Sequence, residues 1–263
     1  MVNISRRQIY AIGTVALLLS AIQQIIFFTY KFIIYFGFVA DVIITICAII
    51  IRFKVISVED IKEMIKETDI LKDYNFRQLN PSRFLNGMVI AIIIGTIASI
   101  TIHYHNVLGV ILYLIMQIIH IWAFSGIVHF KPKALFGKMA GSVRKFALVS
   151  TICFAIISLI LYFSMIFPGW GWYAIAVLPY IIILIFMTLS TYWALGYTER
   201  PIKFRLMLCL GASLFFFSDL MIGYSTFTNP FYLAPLFIFP AWVGAIFFMQ
   251  FAVLELKIQS KDS

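Results

Sequence analysis

Charge is scarce in this chain: only 12% of its 263 residues are Asp, Glu, Lys or Arg, and 11 of them are acidic. With 63% hydrophobic residues beside them, there are too few polar groups to clothe a water-soluble surface. That excludes a soluble globular enzyme. Cysteine is equally sparse. Cys47, Cys153 and Cys209 all fall in apolar runs, at an odd count and without ligand spacing, so neither a disulfide framework nor a zinc site follows. There is no His-Glu-x-x-His, Gly-x-Ser-x-Gly, phosphate-binding Gly-rich loop or Cys-x-x-Cys. The last apolar run, "PAWVGAIFFMQFAVLEL", has no mid-helix lysine to carry retinal. Metal hydrolysis, serine hydrolysis and light-driven pumping are unsupported, and no cofactor is implied.

What the chain has is apolar length. A spanning helix needs ~20 predominantly apolar residues, and eight such stretches are present, at about 9–28, 32–51, 86–103, 107–127, 145–166, 172–194, 205–224 and 232–254. The expectation is an all-α, polytopic membrane helix bundle of eight spans. Residues 1–263 then form a single multi-pass integral membrane domain, whose host membrane the sequence does not identify. Arg6 and Arg7 precede the first run as in a signal peptide, but it is about twenty residues long and has no clear cleavage site, so it reads as a membrane helix. The net charge of +9 does not point to nucleic acid. Numbering the loops alternately puts every one of the 20 Lys and Arg residues except Lys31 on one side. The excess of basic residues in cytoplasmic loops then places both termini in the cytoplasm.

The loops on the other side are short and carry Trp, Tyr and Pro, as in "PGWGW". They cannot build a receptor domain. Residues 52–85 make the one sizeable cytoplasmic loop. Ser57 with Asp60 starts a capping-box pattern there, and Ile61, Met64, Ile65 and Leu71 recur at helical spacing. An amphipathic surface helix is expected, lying on the bilayer or the bundle. No protein partner is identifiable, and no repeat relates the two halves.

Two carboxylates interrupt the apolar runs: Asp219 in "LGASLFFFSDLMIGY" and Asp41 in "YFGFVADVIITI". A charge at mid-bilayer costs at least ~2.5–3.5 kcal/mol on insertion scales, so each needs a partner, a proton or a role. Helical spacing sets Asp41 with Gly37 and Thr45, and Asp219 with Ala212 and Gly223, on faces of small residues suited to helix packing. In the fourth span Tyr113, Gln117, His120 and Phe124 form a stripe; in the sixth, Tyr180, Met187 and Thr191 do. Four helices with polar faces suggest one interior site. Pro179 and Pro240 lie inside spans and are positioned to kink them.

The segment "RLMLCLGASLFFFSDLMIGYSTF" resembles the seventh-helix signature of the lysoplasmalogenase, or YhhN-type, membrane proteins: arginine, then Gly-Ala-x-Leu-Phe, then Ser-Asp. In the same order, Gln117 to Phe124 is similar to the family's histidine-bearing fourth-helix segment. "PYIIILIFMTLSTYWAL" is similar to the sixth, at Pro179, Tyr180, Met187 and Ala194. The clear part spans roughly residues 110–250. The chain departs from the family in the third helix, where Gly95 is followed by Thr96 in place of a Gly-Asp pair.

The resemblance implies eight helices with both termini on one side. It also implies hydrolysis of the vinyl ether of a lysoplasmalogen, or a related ether lipid, to a fatty aldehyde and a glycerophospho-alcohol. That chemistry needs an acid to protonate the enol ether and a second group to steady the oxocarbenium ion and orient water. A membrane interior suits the acid, because burial disfavours the charged form of a carboxyl. On this reading Asp219 is the acid, with Asp41 or His120 orienting water. Ser218, Tyr180, Tyr224, Gln117 and Thr96 line the substrate, which comes from the bilayer. A catalytically lapsed lipid-binding relative, and a small proton-coupled transporter using Asp41 and Asp219, are the alternatives.

Overall fold

In a computed structural model the chain is described over residues 5–30, 37–56, 80–102, 104–127, 141–170, 173–195, 201–227 and 233–257. Every long element among them is helical: α1 (Arg6–Tyr30), α2 (Gly37–Ile50), α3 (Pro81–Thr101), α4 (Asn106–Phe124), α5 (Gly141–Leu161), α6 (Tyr173–Leu195), α7 (Ile202–Phe227) and α8 (Ala234–Ala252). Wide π-type turns extend α2 over Ile51–Val55 and α5 over Tyr162–Ile166, and a tighter turn ends α8 over Val253–Lys257.

Six of these helices, α1, α3, α4, α6, α7 and α8, are long and apolar enough to cross a membrane. With its wide turns the described part of α2 runs over 37–55, just short of the ~20 residues a span needs. In α5 the apolar stretch is Leu148–Ser164. The amphipathic helix expected in the 52–85 loop, and Lys31, lie outside the described residues. The third helix starts at Pro81, a turn before the apolar run expected from 86. Asn80 Oδ1 accepts the Arg83 amide at 3.0 Å, and proline at the first position has no amide hydrogen to satisfy. Both α6 and α8 continue through Pro179 and Pro240.

Side-chain pairings fix the relative direction of neighbouring helices. Along α3 and α4, Gly87 meets Ala123 and Ser99 meets Tyr113; along α7 and α8, Gly211 meets Met249 and Ser218 meets Ile238. In both pairs one number rises as the other falls, so the helices are antiparallel. The same holds for α2 with α3 (Thr45 to Thr96, Arg52 to Asn86), α6 with α7 (Tyr192 to Ser213, Tyr180 to Asp219) and α1 with α8. The start of α1 and the end of α8 meet: Tyr10 donates to Glu255 Oε1 at 2.6 Å, and Arg6 pairs with it at 2.8 Å.

Close approach at the two tightest seams comes from missing side chains. A Cβ on Gly211 would stand 2.8 Å from the Met249 amide nitrogen and 2.9 Å from the Ala245 carbonyl; one on Gly87 would stand 2.6 Å from Ala123 Cβ. Small residues let membrane helices gain dispersion contact where no hydrophobic drive separates helix from lipid. The outward faces keep large apolar groups exposed, such as Val15, Leu18, Ile22 and Ile25 on α1. That is the face a lipid-embedded helix presents.

Candidate functional site: two carboxylates in the bundle interior

Asp219 lies two-thirds along α7, where α4 and α6 pack against it. Tyr180 of α6 donates its hydroxyl to Asp219 Oδ2 at 2.7 Å, and Gln117 Nε2 of α4 donates to the same oxygen at 3.3 Å. With both donors on Oδ2, Oδ1 has no hydrogen-bond partner among the described residues. Asp219 is only half-buried, so Oδ1 is the oxygen open to a ligand.

Asp41 of α2 is buried and held differently. The indole N–H of Trp242 on α8 reaches both carboxylate oxygens at 3.2 Å, and Ser99 of α3 stands beside the same side chain. Ser99 in turn pairs with the Tyr113 hydroxyl at 2.9 Å. Tyr113 packs edge-on against Trp242, 5.2 Å between ring centres, and stands within electrostatic reach of both carboxylates. One helical turn separates Tyr113 from Gln117 on α4, so a single helix face meets Asp219 through Gln117 and, through Tyr113, the Ser99 and Trp242 beside Asp41. Six helices thus contribute to one polar cluster: α2, α3, α4, α6, α7 and α8.

No cation enters it among the described residues. Arg6 pairs with Glu255 at the far end of the bundle, and Arg205 donates to the Leu195 carbonyl, tying α7 to the end of α6. Neutral N–H and O–H groups alone hold the two carboxylates. No group of three or more His, Cys, Asp and Glu side chains among the described residues is placed to hold a metal ion. Such an arrangement can carry and transfer protons.

The other expected site residues divide. Thr96 shares a 2.7 Å hydrogen bond with Thr45, one turn from Asp41 on α2. Asp41 and Thr45 therefore lie along Ser99 and Thr96, and the carboxylate of α2 stands beside the α3 face where the sequence has threonine. His120 is fully buried, its ring stacked on Phe124 at 5.8 Å, with no hydrogen bond to either carboxylate. Ser218 faces α8 instead of the cluster, donating to the Ile238 carbonyl at 3.1 Å. Tyr224 is exposed, more than a turn beyond Asp219. Of the α6 stripe only Tyr180 reaches the site; Thr191 turns its hydroxyl onto the Thr188 carbonyl at 2.7 Å.

Trp242 and Ser99 are absent from the sequence-derived set. A tryptophan well inside an apolar span needs an acceptor for its N–H, which is the signal that marks it. Ser99 carries no comparable signal, because a serine in a membrane helix commonly bonds its own backbone.

A multi-helix membrane bundle with a carboxylate-bearing interior is the class that this fold and site define. The YhhN family model matches residues 77–253, and the chain belongs to the YhhN family. That match takes in α3 to α8 and every residue of the cluster except Asp41. No curated protein and no solved structure matches the chain.

Proposed function

We propose that this protein is an intramembrane lipid hydrolase that cleaves the vinyl ether of lysoplasmalogens, or of a related ether lipid, by general acid catalysis. The whole chain acts as one membrane domain of eight spans, drawing its substrate from the bilayer. The observation that carries the reading is the convergence of Tyr180 and Gln117 on Oδ2 of Asp219, which leaves Oδ1 free to hold and give a proton.

In the proposed reaction Asp219 Oδ1–H gives its proton to the vinyl carbon remote from the ether oxygen, and the double-bond pair forms the new C–H bond. The oxocarbenium ion is steadied by the Asp41 carboxylate. Water adds to the carbon next to oxygen and passes a proton to Asp41. The hemiacetal then breaks its bond to the glycerol oxygen, which takes the proton from Asp41, while the hemiacetal hydroxyl gives its proton to Asp219, releasing aldehyde and alcohol and restoring both side chains. Net consumption is one water. Tyr180 and Gln117 keep Asp219 in one orientation as its charge changes.

Asp219→Asn keeps the shape and the Tyr180 contact but cannot donate a carboxylic proton. Aldehyde release from a lysoplasmalogen in detergent is expected to fall at least ~10²-fold, the lower range for general acid catalysis. Activity that survives this change intact would remove Asp219 from the reaction. The threonine at position 96 favours a second reading, a lipid-binding relative that kept the site and lost turnover. Wild-type protein that binds lysoplasmalogen and releases no aldehyde is its signature.

A further inference from the structure

Among the described residues, three buried polar atoms on α4 have no hydrogen-bond partner: Oε1 of Gln117, the residue that holds Asp219, and both ring nitrogens of His120. Both residues have zero exposed surface. They sit three apart on α4, hence on one face, and helical side chains lean toward the N-terminus. The imidazole is thereby carried toward the turn that holds Gln117. Met116 and Phe124, both fully buried, close the apolar surroundings. The Met116 carbonyl lies near the ring without meeting hydrogen-bond geometry. Buried polar atoms in folded proteins are almost always paired, and where protein offers no partner, ordered water does so.

We infer that Gln117 and His120 form an internal water site, in which a water molecule donates to Gln117 Oε1 and bonds a ring nitrogen of His120. The amide of Gln117 faces two ways. Its Nε2 holds Asp219 and its Oε1 holds the water, so one side chain sets the distance between the acid and the water. Resting on the hydrolase reading, the further step is that this is the water that captures the oxocarbenium ion. Gln117 and His120 are then positioning residues, and neither touches the lipid.

Two measurements test this. The first is an experimental structure of the full chain in a nanodisc, at a resolution that shows ordered water. Density within hydrogen-bond distance of Gln117 Oε1 and a His120 nitrogen is expected. Direct protein partners on those atoms, with no water between, would overturn the site whatever the activity.

The second uses turnover in D2O. Protonation of the vinyl carbon followed by prompt water capture leaves unreacted substrate free of deuterium. Slowed capture lets the ion lose a proton and return as deuterated vinyl ether. His120→Phe and Gln117→Leu, checked for monodispersity, are expected to lower aldehyde release about tenfold or more and to put deuterium into recovered lysoplasmalogen. His120→Asn, which keeps a polar group, is expected to restore part of the rate and reduce the deuterium. Unchanged release, or a fall with no deuterium in recovered substrate, would overturn the water's role. A wild type that makes no aldehyde refutes the hydrolase reading instead, and the structure still decides the site.

Discussion

At the scale of single residues, the two carboxylates differ in what restrains them. Asp219 keeps one oxygen open, whereas Asp41 has both oxygens against the Trp242 N–H and Ser99 at its side. Trp242→Phe keeps most of the packing against Tyr113 and Phe215 but strips the indole donor from a buried acid. Leaving such a group unsatisfied costs about 1–3 kcal/mol, so a lower midpoint of thermal unfolding in detergent is expected. No change in midpoint would show that Asp41 does not need the indole.

On the resemblance, Thr96 stands where the family is expected to carry an aspartate, and it pairs with Thr45, one turn from Asp41. If Asp41 takes over that carboxylate's work, Asp41→Asn lowers aldehyde release severely, by ~10²-fold. Adding Thr96→Asp to that variant then restores activity, while Thr96→Asp alone changes little. A double variant as inactive as Asp41→Asn would show that position 96 cannot serve this site.

Helix pairs hold the site together, and the closest of them depend on glycine. α7 carries Asp219 and is seated on α8 at Gly211, where a side chain would meet the Met249 and Ala245 backbone. Backbone cannot yield as a flexible side chain can. Gly211→Val is expected to separate the helices, lowering thermal stability by about 1–3 kcal/mol, the usual cost of overpacking. It should also weaken activity, because the Ser218 to Ile238 bond seven residues on loses its register. Wild-type stability in this variant would mean that the seam adjusts without loss. Helix identity was legible from apolar run length at six elements. The starts were less so, since α3 begins at a cap and a proline that hydropathy does not register.

For the whole molecule, the start of α1 and the end of α8 close on each other. Arg6, Tyr10 and Glu255 join the beginning of α1 to the end of α8, and the alternating helix directions bring both to one end of the bundle. With nearly all Lys and Arg in alternate loops, eight spans with both termini in the cytoplasm is the expected topology. Tags at residues 1 and 263 should both be accessible only from the cytoplasmic side. Opposite-side labelling would require an odd number of crossings.

The sequence alone determined the solvent of this protein and its family, because apolar length, charge asymmetry and the seventh-helix motif are local properties of a chain. It also singled out Asp219, Asp41, Tyr180 and Gln117, since any polar group in a membrane span demands a reason. Which of them meet was decided only by tertiary structure. The rotation and axial offset of each helix about its neighbours turn Ser218 to α8 and Tyr180 to Asp219, and bring Trp242 across 201 positions of sequence to Asp41. Those offsets are set by where glycines let backbones approach, a property of two surfaces at once that no single run of residues contains.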